Sequence, residues 1–442
     1  MCIRDRIHYT VLNTMMKKID TSSYKGVRDF YPADMQVEKH LFEGMRTVSE
    51  RYGYVEYGAS PLEPAELYKA KSGEEIVNEQ TYTFTDRGGR EVTLRPEMTP
   101  TLARMVAAKK RDLPLPLRWY SIPNLFRYEN PQRGRLREHF QFNIDIFGIT
   151  TLDAEVEIIS IATEVLKHYG AQTNDFSILI NSRKIFQDLC NICDVTDDQK
   201  YTLSKIIDKK DKVEKEIFRE AVEKLIGEKT DVFIEALNSN QKLISLLGEE
   251  NINIKNLITL IEKLEQAGIT NVVFTPTLMR GLDYYTDIVF EIFDTDPANR
   301  RSLFGGGRYD NLTELFSDDK VPAVGIAMGD VTLIDFLTTH NLLPVYRSET
   351  MVVLSSVKET DTDHTLSLAQ KLRTMGINVA TDITDRSMGD KIKTTLKLAV
   401  PFFIAVGSNE SESKQYKVKN LLKEKEAQVN EEGLKDFFVS NT

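Results

Sequence analysis

The stretch FRYENPQRGRLREHFQ, residues 126–141, joins two apolar β-like segments through a turn that contains Pro131 and Gly134. Arg118 precedes it, and four more arginines lie within it: Arg127, Arg133, Arg135 and Arg137. Arginine stays charged when it is desolvated, and it donates paired hydrogen bonds to phosphate oxygens. A single arginine would more simply be paired with an acid elsewhere. A hairpin with arginines on both arms instead predicts a phosphate or RNA site.

The composition of the whole chain is that of a globular protein, with 442 residues, 41% of them hydrophobic and 28% charged. This length predicts two or three domains. No apolar run reaches the roughly 18 residues that a membrane helix needs, so we expect no membrane partner. The formal net charge of −10 argues mildly against nucleic-acid binding, although local patches decide such binding.

The cysteines are few: Cys2, Cys190 and Cys193. Together with the lack of a signal peptide, they predict a reducing, cytoplasmic setting. Cys190 and Cys193 have the spacing of a redox or zinc pair, but no second pair follows, so packing on a helix face is favoured. Residues 1–20 show no periodicity, and we expect them to be a non-native or disordered leader.

The residue composition and the hydrophobic periodicity change along the chain. Residues 21–342 begin with β-like runs, helices and loops rich in glycine and proline, which predict a first domain built on a sheet. Within it, residues 194–270 are rich in lysine and glutamate, with apolar residues at three- and four-residue intervals, which predicts a helical insertion. Residues 349–442 alternate strand-like and helix-like segments, which predicts a small α/β domain with a mostly parallel sheet.

A glycine-rich segment, FGGGRYD at 304–310, predicts close backbone approach to a ligand or to another strand. The chain has no Walker-type loop and no Gly-x-Gly-x-x-Gly unit between a strand and a helix. A nucleotide-binding oxidoreductase of the Rossmann type is therefore excluded.

Several ordered segments resemble a known family. The arginine hairpin resembles the second signature of class II aminoacyl-tRNA synthetases. Four further segments resemble histidyl-tRNA synthetases more narrowly: KGVRDFYP (25–32), TLRPEMTP (93–100), RGLDYYT (280–286) and GGGRYDNL (305–312). The resemblance implies an α+β fold with an antiparallel six-stranded sheet and flanking helices. It also implies that the first domain is catalytic and that the last is an α/β anticodon-binding domain.

The activity that this resemblance implies is the ATP-dependent ligation of L-histidine to tRNA(His) through a histidyl-adenylate, with release of AMP and pyrophosphate. It implies ATP as substrate, Mg²⁺, and a homodimer joined partly through the segment near Pro61. The alternative is a histidine-binding regulatory paralogue of ATP phosphoribosyltransferase, which does not aminoacylate. Such relatives typically lose the arginine at position 280 or the last domain, and this chain keeps both.

Residue roles follow from the same resemblance. Catalysis is assigned to two arginines at the α-phosphate, Arg127 and Arg280. ATP binding is assigned to Arg127, Glu129, Arg135 and His139, the last as the ring that stacks on adenine. Histidine binding is assigned to Glu97, Thr99, Gln141, Asp145, Arg280, Tyr284, Tyr285 and Tyr309. Core packing is a serious alternative for Tyr284, and no residue is assigned to a metal.

One departure from the family concerns its third signature, in which a helix start carries an arginine beside the γ-phosphate. Here the segment AVGIAMGDVTLIDFL, residues 323–337, places Asp330, Val331 and Thr332 at that helix start. Another group must then offset the charge of the terminal phosphate. Arg308 is the candidate that the sequence suggests.

Overall fold

The structure is a computed structural model that describes most of the chain. The described residues are 19–69, 80–279, 284–299, 301–318 and 320–441. They form two compact units, divided between Leu343 and Pro344, and each unit has its own buried core.

The first unit begins with short strands and helices, which lead into the long strand of the arginine hairpin. Its first elements are α1 (Pro32–Arg51), β1 (Val55–Glu56), β2 (Leu62–Pro64), α2 (Glu66–Lys69), β3 (Tyr82–Thr85), β4 (Glu91–Leu94), α3 (Thr99–Lys109), β5 (Leu117–Ser121), β6 (Asn124–Phe126), β7 (Glu138–Phe147), α4 (Asp153–His168) and β8 (Phe176–Ser182). A helical segment follows, with α5 (Arg183–Ile192), α6 (Asp197–Asp208), α7 (Lys215–Ile226), α8 (Thr230–Asn238), α9 (Asn240–Leu247) and α10 (Ile252–Gln266). The unit ends with β9 (Val272–Phe274), β10 (Ile288–Asp294), β11 (Ser302–Arg308), β12 (Ala323–Gly329) and α11 (Asp330–Thr339).

The main sheet has the strand order β1-β5-β7-β12-β11-β10-β8-β9, and β6 pairs with β7. The six strands from β5 to β8 in this order pair antiparallel with one another. Strands β1 and β9 extend the two edges in parallel. The predicted antiparallel six-stranded sheet with flanking helices is confirmed.

Alternation along β7 separates the core from the opposite face of the sheet. Ile144 and Ile146 pack in the main core with Leu41 of α1. Because successive side chains of a strand point to opposite faces, Gln141 and Asp145 lie on the other side. The central strand therefore carries polar groups on the face away from this helical layer.

The helices from α6 to α10 bury apolar residues such as Leu203, Phe218 and Leu257 in the same core as the main sheet. The assignment of residues 194–270 as a helical insertion within the first domain stays a prediction. Just before them, Cys190 and Cys193 are buried free thiols at the end of α5. Burial raises the pKa of Cys190 to about 12 and raises that of Cys193 as well. Packing therefore explains this pair.

The second unit contains β13 (Val352–Ser356), α12 (Thr362–Thr374), β14 (Val379–Asp382), α13 (Met388–Lys397), β15 (Phe402–Val406), α14 (Ser408–Ser413), β16 (Gln415–Asn420), β17 (Lys425–Asn430) and α15 (Leu434–Asn441). Its sheet has the order β14-β13-β15-β16-β17. The first three strands are parallel, but β16 and β17 form an antiparallel hairpin. The expectation of a mostly parallel sheet is wrong at this edge, where a segment rich in lysine and glutamate resembled a helix.

No helix among the described residues combines the length and the apolar character needed to cross a bilayer.

Candidate active site

The floor of the candidate site is the pairing of β7 with β12. Asp145 lies opposite Gly325 in this register, and Gln141 lies opposite Gly329. A Cβ atom at position 325 would overlap the Asp145 carboxylate, so only glycine leaves room for it. The glycine of β12 thus allows a buried acid to lie flat across the sheet.

Three tyrosines form one wall of the site. The rings of Tyr284, Tyr285 and Tyr309 have mutual centroid distances of 5.2 to 6.5 Å. The Tyr309 hydroxyl donates to Asp145 Oδ1 at 2.5 Å, and the Tyr284 hydroxyl donates to Glu97 Oε2 at 3.2 Å. The two buried acids are therefore linked through these rings.

A further part of the lining comes from the segment that leads into α3. Glu97 and Thr99 are buried there, and Thr99 is the first residue of the helix. Arg127, at the end of the first hairpin arm, donates from Nε to the Pro96 carbonyl at 2.8 Å. This bond holds the guanidinium beside the acid-bearing segment.

One cavity joins these groups. Its lining consists of Glu97, Thr99, Arg127, Gln141, Asp145, Tyr284, Tyr285, Tyr309, Gly325, Ile326 and Ala327. Eight of the residues that the sequence assigns to a site are therefore brought together. Arg280 lies outside the described residues. Asp287 accepts from Ser182 Oγ at 2.6 Å and pairs with Lys184 Nζ at 2.7 Å.

The electrostatics of the cavity follow from burial. Desolvation raises the pKa of Asp145 to about 7, and the hydrogen bond from Tyr309 only partly opposes this. Its second oxygen, Oδ2, is buried and has no hydrogen-bond partner among the described residues. A buried carboxylate with one free acceptor is suited to a ligand that brings an N–H group.

His139 is the next residue of β7 on the same face as Gln141. Burial, with the nearby charges of Arg127 and Arg28, lowers the pKa of the His139 imidazole to about 3. The ring is therefore neutral at physiological pH. The neighbouring Phe140 packs instead against Phe42, with ring centroids 5.0 Å apart.

The outer part of the hairpin lies beyond this cavity. Arg135 pairs with Glu129 at 3.4 Å and leaves about half of its side chain exposed. Arg137 is buried, donates to the Glu129 carbonyl at 3.0 Å and lies over the Tyr128 ring at 4.2 Å. Arg137 therefore shapes the turn, whereas Arg135 remains accessible.

Two arginines that the sequence connected with phosphate have structural partners. Arg118 makes a two-point ion pair with Glu157 of α4, at 2.8 and 2.9 Å. Arg308 is buried and makes a similar pair with Glu155, with both bonds at 2.6 Å. Arg308 also donates to the carbonyls of Ile149 and Thr151. The expectation that Arg308 replaces the third-signature arginine is wrong, because these acceptors already occupy its guanidinium.

The sequence did not point to two further residues at the site. Arg183 donates to the Tyr285 carbonyl at 3.1 Å, and its guanidinium lies 5.9 Å from that ring. Tyr57 packs in the same apolar cluster as the three tyrosines, and both burial and the charge of Asp145 raise the pKa of its hydroxyl. Arg183 lies in no recognised motif, and Tyr57 lies in the segment near Pro61 that the resemblance connects with dimer formation, so only the fold places them beside the cavity.

An antiparallel sheet that carries an arginine hairpin beside a polar cavity defines a class II aminoacyl-tRNA synthetase. Residues 26–332 match the family described as histidyl-tRNA synthetase, and residues 351–441 match an anticodon binding domain. The chain belongs to the histidyl-tRNA synthetase family.

Similar proteins agree with this assignment. The chain is 42% identical to the histidine–tRNA ligase of Leptospira biflexa over 92% of its own length and 94% of the relative. It is 38% identical to the histidine–tRNA ligase of Thermoplasma volcanium over 90% of its own length and 93% of the relative. The fold is similar to the crystal structure of histidyl-tRNA synthetase from Nostoc sp. PCC 7120, with a TM-score of 0.81 and 24% identity over 96% of this chain and all of that one.

Proposed function

We infer that this chain ligates L-histidine to tRNA(His) with consumption of ATP. The histidine carboxylate attacks the α-phosphorus of ATP, a P–O bond forms and pyrophosphate leaves. The terminal ribose hydroxyl of the tRNA then attacks the activated carbonyl, and AMP leaves. The observation that carries this inference is the single cavity in which Glu97, Gln141, Asp145 and three tyrosines lie beside Arg127.

Recognition of the amino acid is proposed to use opposite ends of this cavity. An ammonium group needs acceptors and negative charge, which Glu97, Thr99 and Gln141 supply. The imidazole has two ring nitrogens, and we assign one to Asp145 and the other to Tyr285. A site whose buried groups bond both nitrogens discriminates strongly against amino acids that lack one. Tyr309 orients Asp145, and Tyr284 orients Glu97.

Activation is proposed to depend on charge at the α-phosphate. Arg127 lines the cavity, and Arg280 is assigned to the same phosphate and to the histidine carboxylate by its match to the family motif. Attack on a phosphorus atom is accelerated mainly by fixed positive charge at the place where negative charge develops. We assign Glu129, Arg135 and His139 to the rest of ATP, with the neutral His139 ring stacked on adenine.

Mg²⁺ is proposed to enter with ATP. This ion prefers phosphate and carboxylate oxygens and keeps several of its waters. In the part of the chain that the structure describes, no group of three or more histidine, cysteine or carboxylate side chains is placed to hold a metal. We therefore assign the ion to the phosphates of the substrate, where it would neutralise charge.

The partners of the reaction are proposed from the family and from the second unit. Residues 351–441 match an anticodon binding domain, which supports recognition of the tRNA(His) anticodon. A homodimer joined partly near Pro61 and a cytoplasmic location remain proposals. The domain limits 21–342 and 349–442 are proposed on the same basis.

The regulatory paralogue is the second candidate. One similar crystal structure, from Bacillus halodurans C, is titled an ATP phosphoribosyltransferase regulatory subunit/histidyl-tRNA synthetase, with a TM-score of 0.74 and 24% identity. That degree of identity supports the fold alone. The match of this chain to an anticodon binding domain favours the ligase.

A charging assay separates the two candidates. Purified chain, ATP, Mg²⁺ and labelled histidine are expected to charge a tRNA(His) transcript with a GUG anticodon, and to charge a transcript with a replaced anticodon far more slowly. A regulatory paralogue would bind histidine but transfer none to either transcript. Omitting the extra 5′ guanosine from the transcript in the same assay measures whether this chain requires it.

A further inference from the structure

The start of α11 supplies no free positive charge to the site. Thr332 donates from its hydroxyl to the Leu303 carbonyl at 2.6 Å. Asp330 accepts from Arg28, with Nη2 and Oδ2 2.5 Å apart. This first helical turn therefore presents a hydroxyl and a neutralised acid where the family signature presents an arginine.

Most arginines around the hairpin are also committed. Arg118, Arg137 and Arg308 have the internal partners described above. Arg133 donates to Asn299 Oδ1 at 2.8 Å and pairs with Asp335 at 3.6 Å. Arg135 remains accessible, but a triphosphate carries several negative charges. Beside the proposed Mg²⁺, a further protein cation at the outer phosphates would offset the charge that Arg135 leaves unbalanced.

Arg301 lies in the right place. It precedes β11 and is exposed, and Nη2 donates to Gln132 Oε1 at 2.8 Å, at the tip of the hairpin. A Cβ atom built on Gly134 would lie 3.6 Å from Arg301 Cδ and 3.6 Å from Thr332 Cγ2. The hairpin tip, Arg301 and Thr332 are therefore direct neighbours.

The charge of Arg301 is available to a ligand. Its hydrogen-bond partner, the Gln132 amide, is neutral, and the nearby acid Asp335 is paired with Arg133. Gly134 has φ +73°, a backbone conformation that favours glycine, and a Cβ atom there would lie in van der Waals contact distance of the Arg301 and Thr332 side chains. A planar guanidinium at the mouth of this turn matches the oxygens of a phosphate.

We propose that Arg301 binds the terminal phosphates of ATP in place of the arginine missing at Thr332. The proposal rests on the proposed adenylation of histidine. The Arg301 guanidinium would reach these phosphates from the residue before β11, whereas the family arginine reaches them from the first turn of the helix that corresponds to α11. Arg135 on the hairpin and Arg301, which directly precedes β11, would then hold the pyrophosphate group from two sides.

The test is the histidine-dependent exchange of pyrophosphate into ATP, without tRNA, in wild type, Arg301→Ala and Arg301→Lys. We expect Arg301→Ala to raise the KM for ATP and for pyrophosphate by roughly 10- to 100-fold, the usual effect of losing bonds to a charged group. The KM values of Arg301→Lys should lie between those of Arg301→Ala and wild type, because lysine keeps the positive charge but cannot donate the paired hydrogen bonds of a guanidinium. Arg219→Ala is the control: Arg219 is also exposed, pairs with Asp231 on the helical insertion, and should leave both constants unchanged.

A ligand without outer phosphates separates phosphate binding from a merely structural bond to Gln132. Histidyl-sulfamoyl adenosine contains both the amino acid and the nucleoside, and Arg301→Ala should bind it as wild type does. An unchanged KM for ATP, or an equal weakening of this analogue, would overturn the proposal. An inactive wild type would instead overturn the proposed adenylation itself.

A second-site change tests the position directly. Thr332→Arg in the Arg301→Ala background restores a guanidinium at the family position, and it should recover much of the affinity for ATP. If the double variant stays as weak as Arg301→Ala while its melting temperature matches wild type, the two positions do not serve the same phosphate, and the proposal fails.

Discussion

The Tyr309 hydroxyl donates to Asp145 Oδ1 at 2.5 Å, while Asp145 Oδ2 lies buried with no partner among the described residues. This arrangement fixes one oxygen of the carboxylate and leaves the other for a ligand. Burial raises the pKa of this acid to about 7, although the hydrogen bond from Tyr309 opposes the rise. Binding an imidazole N–H would satisfy a group that folding leaves unsatisfied.

Asp145→Asn separates function from stability. We expect kcat/KM for histidine to fall about 100-fold or more, because the amide cannot accept with the strength of a carboxylate. The carboxyl pKa is about 7 in the fold and ordinary in the unfolded chain, so the stability that it contributes is complete at acid pH and is lost as the pH rises through 7. The variant should therefore melt at a higher temperature than wild type at pH 8.

The matched control is Asp153→Asn, which removes an exposed carboxylate that pairs with Lys263 at 2.7 Å. A hydrogen bond from Lys263 lowers the pKa of Asp153, so this change should not raise the melting temperature at pH 8. Equal kinetics for Asp145→Asn and wild type would remove Asp145 from the imidazole site.

Gly325→Ala tests the close approach of β12 to β7. The added methyl group would overlap the Asp145 carboxylate, so the acid must rotate away from the Tyr309 hydroxyl. We expect the KM for histidine to rise at least 10-fold, with a smaller effect on the KM for ATP. Steady-state exchange kinetics measure both. Gly389→Ala, where the nearest atom lies 3.9 Å from the new Cβ, should leave both constants unchanged.

Arg127 in the hairpin and Arg118 on β5 offer a comparison between two arginines. Arg127→Ala should reduce the adenylation rate by about 100-fold or more, with little change in unfolding, because its guanidinium faces the cavity. Arg118→Ala should leave adenylation nearly intact and lower the melting temperature, because it breaks the two-point pair with Glu157. Single-turnover kinetics and thermal denaturation of both variants check this. The reverse pattern would exchange their assigned roles.

Glu38 provides a prediction about pH. It lies buried near Asp330, and desolvation with the charge of Asp330 raises the pKa of Glu38 to about 8. The unfolded chain loses this proton at lower pH, so folding becomes less favourable as the pH rises toward 8. Glu38→Gln should therefore stabilise the chain over wild type by an amount that grows from pH 5 to pH 8.

Thermal denaturation across this range measures the difference between Glu38→Gln and wild type. The exposed Glu220 gives the control, because Glu220→Gln should show no growing difference. A constant difference for Glu38→Gln would show that its side chain ionises in the fold as it does in the unfolded chain.

The resemblance of local motifs to the family assigned the candidate site residues, and eight of them line one cavity. Period two along β7 places His139, Gln141 and Asp145 on one face before any contact is known. The antiparallel sheet is implied by the resemblance to the family, and the glycines of β11 predict close backbone approach to a ligand or to another strand. These features depend on neighbours in sequence.

Features that depend on distant partners were missed. The acids that bind Arg118 and Arg308, Glu157 and Glu155, lie on α4, and no local pattern connects them with these arginines. The hairpin of β16 and β17 contains lysine and glutamate at a density typical of a helix, but its alternating burial makes it a strand pair. In each case tertiary packing decides against local preference.

The proposed function requires that the cavity beside Arg127 activates histidine and no other amino acid. The most direct measurement is the exchange of labelled pyrophosphate into ATP by the full chain, with each of the twenty amino acids supplied separately. We predict exchange with histidine alone, and its loss in Asp145→Asn. Exchange that is absent with histidine, or equally fast with another amino acid, would contradict this account.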